Sequence, residues 1–341
     1  MYSFTNDYSE GTHPAILQAL TASNMEQTSG YGTDCYTQQA IEAIQQKIKA
    51  PNAQIHLLVG GTQTNAIAIS SFLRPHEAAI CCSNGHINVH ETGAIEATGH
   101  KVLTRPSTDG KLTVAMIDSI LKEHIDEHMV KPKLVYISNS TELGTIYQLQ
   151  ELEELSAYCK AHQLIFYLDG ARLGSGLCSE INDVTMEDIA RLTDAFYIGG
   201  TKNGALFGEA LVIVNPTLQE DFRYFIKQKG ALLAKGRLLG IQFLELFKDD
   251  LFDQIATHAN TCAMKLRAGI KELGYPFFVD SYTNQQFPIL PDEVLAQLEH
   301  EFSYTFWEKV DENHTAIRLV TSFATQEDKV DEFLTLLRKL K

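Results

Sequence analysis

The sequence predicts an α/β fold, with a mostly parallel seven-stranded sheet flanked by helices on both faces and a smaller C-terminal α+β domain after it. Three observations lead there. From about residue 36 to Val214, short apolar runs of strand length alternate with segments whose apolar residues recur at helical spacing. Two of the runs end in Leu168-Asp169-Gly170-Ala171-Arg172 and Tyr197-Ile198-Gly199-Gly200-Thr201-Lys202, and the 33 residues from Asp169 to Lys202 suit a strand, a crossover helix and a second strand. Both segments then open on one edge of a parallel sheet. Beyond Val214 the alternation gives way to long helical spacing and short strands, the pattern of an α+β unit.

In chain order, Ile41, Ile44 and Ile48 fall at helical spacing, and Ile55–Val59 reads as a buried strand ending in Gly60-Gly61. Further helices are expected at Asn65–Leu73, Val114–Ile125 and Leu149–Cys159. Further strands are expected at Ala78–Cys82, Val102–Thr104, Leu134–Ser138, Leu164–Leu168, Phe196–Ile198 and Ala210–Val214. The Gly204–Glu209 connection is too short for a helical crossover, so the last two strands should run antiparallel. Helical spacing resumes through Leu238–Leu244 and Ile255–Leu273, followed by short strands at Phe277–Val279, Phe287–Leu290 and Ile317–Val320. The expected division is a large domain over residues 1–240, with an N-terminal arm over 1–35, and a small domain over 241–341.

With 341 residues, 44% of them hydrophobic, the chain can bury a large core. Twenty-eight basic against 43 acidic side chains give a formal charge of −15, which argues against nucleic acid or an anionic membrane as partner, since both need a basic surface. An anionic ligand must find a local positive site. The six cysteines, Cys81-Cys82 among them, show no C-x-x-C spacing and fit reduced, buried thiols. No charged-then-apolar leader and no apolar run near the roughly 18 residues of a membrane span is present, so a cytoplasmic location is expected.

Four places carry chemistry. Gly60-Gly61-Thr62-Gln63-Thr64-Asn65 lies between a strand and a helix, where close backbone approach, unpaired first-turn amides and the Thr62 hydroxyl form a phosphate cup; a plain glycine-rich turn is the alternative. Neither G-x-G-x-x-G nor a Walker lysine is present. His86, following Ser83-Asn84-Gly85 at the mouth of the sheet, can stack on a flat heteroaromatic ring; a surface or satisfied core histidine is the plainer reading. His86 and His90 have a helical metal-ligand spacing, but no third ligand and no H-E-x-x-H order supports a metal site. Asp169, desolvated at a strand end, needs a partner, either a protonated pyridine nitrogen or Arg172 in a structural ion pair. Arg318, a charge inside the apolar strand Ala316–Val320, usually has a carboxylate opposite, structural or substrate. Lys202, after small residues that leave room for a cofactor, is an amine placed to form an imine. A carboxylate for a pyridinium beside such a lysine is the minimum apparatus of pyridoxal phosphate chemistry.

Over nearly its whole length the chain resembles threonine aldolases of the β-eliminating lyase family, which have the fold type I architecture of pyridoxal-phosphate enzymes. The motifs are Asn6-Asp7-Tyr8-Ser9, Tyr31-Gly32-Thr33-Asp34, Gly61-Thr62-Gln63-Thr64-Asn65, His86, Glu91-Thr92-Gly93, Asp169-Gly170-Ala171-Arg172, Thr201-Lys202 and Arg318-Leu319-Val320-Thr321. The resemblance implies that Lys202 carries pyridoxal 5'-phosphate as an internal aldimine, that Asp169 pairs with the pyridine nitrogen, that His86 stacks on the ring, that Gly61 and Thr62 cradle the phosphate, and that Gln63 and Thr201 also bind the cofactor. Arg172, near the cofactor phenolate or the substrate carboxylate, Arg318, Tyr31 and Asn6, which stands where the family has a serine, would bind the amino acid. It also implies active sites at a homodimer interface, commonly in a homotetramer, with Lys229, Lys235 and Arg237 in the stretch that reaches a partner's phosphate. In many relatives a histidine lies near the substrate hydroxyl; here Asn139-Ser140-Thr141-Glu142-Leu143-Gly144 puts Glu142 there. The expected reaction is retro-aldol cleavage of threonine or allo-threonine to glycine and an aldehyde, with Glu142, or His86 through a water, as the base. The alternatives are β-elimination or transamination on the same cofactor, and a non-catalytic binder that keeps the fold.

Overall fold

The computed structural model describes residues 1–341. The N-terminal half contains β1 (Tyr2–Ser3), α1 (Pro14–Ala22), α2 (Cys35–Lys47), β2 (Gln54–Leu58), α3 (Gly61–Phe72), β3 (Glu77–Cys82), α4 (His86–Val89), β4 (Val102–Arg105), α5 (Val114–Glu123), β5 (Lys131–Ser138), α6 (Leu149–Ala161) and β6 (Ile165–Asp169). Helix starts follow local chemistry. The Asp34 and Thr113 side chains accept the Thr37 and Met116 amides at the heads of α2 and α5, and Gln148 with Glu151 forms a capping box on α6. The chain continues through α7 (Leu173–Leu177), α8 (Met186–Leu192), β7 (Ala195–Gly199), β8 (Glu209–Ile213), α9 (Phe222–Gln228), α10 (Arg237–Leu246) and α11 (Leu251–Glu272). It closes with β9 (Gln285–Gln286), β10 (Ile289–Pro291), α12 (Asp292–Leu298), β11 (Phe302–Ser303), β12 (Thr305–Lys309), β13 (His314–Val320) and α13 (Glu327–Leu340).

Seven strands form the central sheet in the order β2-β8-β7-β6-β5-β3-β4. Pairs from β7 to β4 are parallel, whereas β8 runs antiparallel to both β7 and β2, so β8 alone is reversed. The tight connection before β8 therefore has the consequence expected of its length. Period-2 alternation sends each strand's residues to two layers. Phe166, Leu168, Phe196 and Ile198 face a core that also holds Ile44, Ile117, Leu152 and Phe243, while Tyr136, Tyr167 and Tyr197 face the core beneath Ile67, Phe72 and Phe222.

The second sheet has the path β10-β13-β12, with β9 pairing β13. Its core unites Phe4, Leu266, Leu290, Phe302, Ile317, Phe333 and Leu337. Strand β1 pairs in parallel with β11, so the chain's first residues pack against its last hundred. The strand expected at Phe277–Val279 is reduced to one bridge, Phe277 to Pro288, and of the strand expected at Phe287–Leu290 only Ile289 and Leu290 lie in a strand, β10, with β9 just before it. No helix is long and apolar enough to cross a membrane.

Candidate active site

Because β6 and β7 are parallel neighbours, Asp169 at the end of one and Lys202 just past the end of the other open on the same edge. The turn after β2, the segment after β3 with His86 and the segment after β5 with Glu142 open there too. Ligands bind in such crevices at the carboxyl ends of the strands.

Asp169 is buried at the floor. Its Oδ2 accepts the Tyr136 hydroxyl at 2.6 Å and the Asn65 amide at 3.0 Å; its Oδ1 accepts the Tyr197 hydroxyl at 2.6 Å and the Ala171 N–H at 3.0 Å. Burial opposes its charge, but the His86 imidazole and these donors outweigh burial and hold the carboxyl below its ordinary range. The negative charge at the floor is permanent at neutral pH. The ion pair with Arg172 that sequence left open does not form: Arg172 donates from Nε and Nη2 to both oxygens of buried Asp7, at 2.7 and 3.1 Å, and Asn284 adds a third bond to Asp7 at 2.9 Å.

His86 is oriented from two sides. Its Nδ1 lies 2.7 Å from Glu91 Oε1, and that oxygen also accepts Asn65 Nδ2, so a single amide ties Glu91 to Asp169. Burial disfavours the imidazolium, yet the Glu91 bond and the Asp169 charge raise the His86 pKa above its ordinary value. Glu142 accepts the His86 backbone N–H at 3.0 Å and the Ser138 hydroxyl at 2.8 Å on Oε1, while its buried Oε2 has no partner. Burial, and next the Asp169 charge, push the Glu142 carboxyl upward.

No hydrogen bond or ion pair engages Lys202 Nζ, and burial, followed by the nearby Arg172 charge, lowers its pKa, which favours the free amine. Thr201 beside it donates to Glu209 Oε1 at 2.8 Å and accepts the Gly208 N–H at 3.0 Å, and Glu209 Oε2 accepts the Gly200 N–H at 3.0 Å. At the head of α3 the N-cap is Gly60, with no side chain to cap the helix, and the N–H groups of Gly61, Thr62 and Gln63 make no hydrogen bond. The N-terminal arm crosses the crevice: Asn6 lies between Asp7, which holds Arg172, and Thr5, whose carbonyl faces Arg318 Nη2 at 3.5 Å. Arg318 has no carboxylate opposite; Thr305 occupies that register position and Arg318 Nε is buried without a partner. Arg318, Glu142 and the exposed His90 line one cavity of about 470 Å³.

Tyr31, Lys229, Lys235 and Arg237 are elsewhere in the same chain. The Tyr31 ring lies under Lys227 and its carbonyl accepts Arg223, while Arg237 donates to the Ser23 and Glu26 carbonyls. Residues to which the sequence reading assigns no role are Asn65, Tyr136, Tyr197, Asp7 as the Arg172 partner, Glu91 as the His86 partner, and Glu209. Glu209 alone had a local clue, an acid opening an apolar run, Glu209-Ala210-Leu211-Val212-Ile213.

The residues fit pyridoxal phosphate: three free helix amides for an anion, an ionised carboxylate without a cation in contact, an unengaged lysine amine, and an arginine with a buried donor to spare. Fold and site together define a pyridoxal-phosphate-dependent lyase of fold type I. The chain belongs to the family described as Beta-eliminating lyase, which matches residues 4–292. It is 31% identical to a low specificity L-threonine aldolase of Pseudomonas sp. (strain NCIMB 10558) over 339 residues, 98% of this chain and 96% of the relative. It superimposes on a threonine aldolase from Leishmania major with a TM-score of 0.99 at 52% identity, covering 100% of this chain and 99% of that one. An aspartate aminotransferase from Thermus thermophilus, 15% identical, shares the fold with a TM-score of 0.72 over 100% of this chain and 92% of its own.

Proposed function

We propose that the protein cleaves the Cα–Cβ bond of threonine and allo-threonine to give glycine and acetaldehyde, with the cofactor held covalently through Lys202 Nζ. The observation that carries this is the cavity shared by the spare donor of Arg318 and the unpartnered Glu142 oxygen. It offers a carboxylate anchor and a proton acceptor on the two sides of the bond to be cut. When bound, pyridoxal phosphate supplies the sink that takes up the electron pair released at Cα.

The chain's own groups do the rest. The Gly61, Thr62 and Gln63 amides would hold the phosphate and Asp169 would keep the ring nitrogen protonated, while Thr201, expected at the cofactor, has its hydroxyl committed to Glu209 and the Gly208 N–H and braces the turn that carries Lys202. His86, fixed at Nδ1 by Glu91, would stack on the cofactor ring. Arg318, with Arg172 and Asn6, would hold the substrate carboxylate and so orient the Cα–Cβ bond for cleavage. Glu142 Oε2 then accepts the β-hydroxyl proton as that C–O becomes a carbonyl and Cα–Cβ breaks. The aldehyde leaves, Cα regains a proton, and glycine departs as Lys202 resumes its own bond. The amino-acid family of the relatives and the raised Glu142 carboxyl support this sequence.

A homodimer, itself paired in a homotetramer, would bring Tyr31, Lys229, Lys235 and Arg237 of one copy to the crevice of another. Exposed apolar side chains on α1, the segment after it and α10 (Leu17, Met25 and Leu238) support such a contact. Six cysteines without a disulfide fit a cytoplasmic setting. The test is an assay of the pyridoxal-phosphate-loaded protein on both threonine diastereomers. Equimolar glycine and acetaldehyde are expected; their absence from both overturns the assignment, and pyruvate with ammonia from serine, or an accumulating keto acid, redirects it to elimination or transamination.

A further inference from the structure

Arg318 is loosely bonded for a residue that must bind a carboxylate. Its only hydrogen bond is the 3.5 Å contact to Thr5, and no acid in the chain pairs with it. A long side chain free among rotamers loses affinity when it is ordered on binding.

The aromatic neighbour of its guanidinium is Trp307. Strand β12 runs antiparallel to β13 with Thr305 opposite Arg318 and Phe306 opposite Ile317, and the register then slips so that Glu308 faces Ala316. Trp307 is thus the extra residue of a β-bulge, a device that re-aims a side chain. Arg318 Cζ stands over its indole, 5.8 Å from the ring centroid and within cation–π reach. The buried Phe287 ring meets the indole edge-on, 4.9 Å away at 73°, and fixes the indole in turn. Indole is the strongest of the aromatic partners for a cation, and a cation–π contact uses none of the guanidinium N–H donors that a carboxylate needs. Trp307, Arg318 and Glu142 line the same cavity.

We propose that Trp307 is a positioning residue, whose indole fixes the Arg318 guanidinium as the anchor for the amino-acid carboxylate and so sets substrate affinity rather than the chemical step. This rests on the reading of Arg318 as that anchor.

The test uses the pyridoxal-phosphate-loaded enzyme, with binding followed by the absorbance of the bound cofactor. Glycine is compared with glycine methyl ester, which lacks the carboxylate charge. In Trp307→Leu the Kd for glycine and the KM for threonine should each rise about tenfold, with kcat and the ester Kd within about twofold. Trp307→Phe should recover part of the loss. Arg318→Leu should abolish the preference for glycine over the ester. If Arg318→Leu keeps that preference, the anchor reading falls and the proposal with it. If Arg318→Leu loses the preference while Trp307→Leu retains full glycine affinity, or weakens glycine and ester alike, the anchor stands and the role of Trp307 is overturned. Should leucine at 307 prevent folding, glycine affinity in the order Trp, Tyr, Phe with a constant ester Kd supports the proposal, and no dependence on the ring overturns it. Trp307 is the chain's single tryptophan, so glycine should also change its emission in the wild type and leave it unchanged in Arg318→Leu.

Discussion

At position 142 a carboxylate occupies surroundings that disfavour its charge, one oxygen secured by the His86 N–H and the Ser138 hydroxyl and the other without a donor. Burial and the Asp169 charge raise its pKa, and a base is most effective when its pKa approaches the working pH. Protonated Glu142 cannot accept a proton, so activity should fall as pH drops through its raised pKa, placing the acid limb of kcat/KM above the ordinary carboxylate range. Glu142→Gln keeps an acceptor for His86 and Ser138 but cannot take a proton; turnover should fall by about 10²- to 10⁴-fold with cofactor absorbance and glycine affinity retained. Near-normal turnover would remove Glu142 from the role. The position was legible because it stands in a recognisable segment, and Lys202 and Asp169 were legible because strand ends with a fixed spacing must share a sheet edge. The partners were not. Asp7 and Arg172 are 165 residues apart, and Asn65 meets Asp169 across 104, distances over which a single sequence specifies nothing about contact.

The connection between β7 and β8 holds the lysine through a dense set of bonds around one acid. The Gly200 and Thr201 amides both reach the Gly208 carbonyl, and Glu209 receives the Gly200 amide and the Thr201 hydroxyl. At Gly208 φ is +123°, and a Cβ there would stand 2.5 Å from Leu239 Cδ2, so only glycine closes this turn. Burial pushes the Glu209 carboxyl from 4.5 up to about 8, opposed by Thr201, Lys202 and Gly200, with Asp169 adding to the rise. Between those two pH values the folded protein keeps a proton that the unfolded chain has released, so this group makes stability decline as pH rises across the window and level off above about 8. Glu209→Gln, which cannot ionise, should flatten the decline; thermal midpoints of both proteins measured from pH 5 to pH 8 would show it, and parallel curves would place the proton elsewhere. Elements of the central sheet were readable because buried parallel strands are continuous apolar runs. The two-residue strands β1, β9 and β11 are made by main-chain pairing with distant segments and leave no pattern. Strand β12 was hidden because Glu308 and Lys309 follow its aromatic pair and its bulge breaks the alternation.

Across the whole molecule, the cofactor- and substrate-binding groups expected on sequence grounds divide between two surfaces. Lys202, Asp169, His86, Thr62 and Arg318 belong to the crevice, whereas Tyr31, Lys235 and Arg237 belong to the surface formed by the segment after α1 and the start of α10. That second surface also exposes Met25, at 88%, and Leu238, and Leu206 joins it through a backbone bond to Gln242 of α10. The chain carries a net charge of −15, and Lys235 and Arg237 line a pocket apart from the one that holds Arg318 and Glu142. In the proposed oligomer, a second copy placed against this surface would cover the apolar side chains and deliver the cations at once. Leu238→Glu puts a charge into that contact and should shift sedimentation toward monomer. The monomer should bind pyridoxal phosphate at least tenfold more weakly, because the loss of charge-assisted phosphate contacts costs about 1.5–3 kcal/mol. A monomeric variant with full cofactor affinity and turnover would show that each crevice is complete in one chain. An unchanged oligomer would place the contact on another face of the molecule.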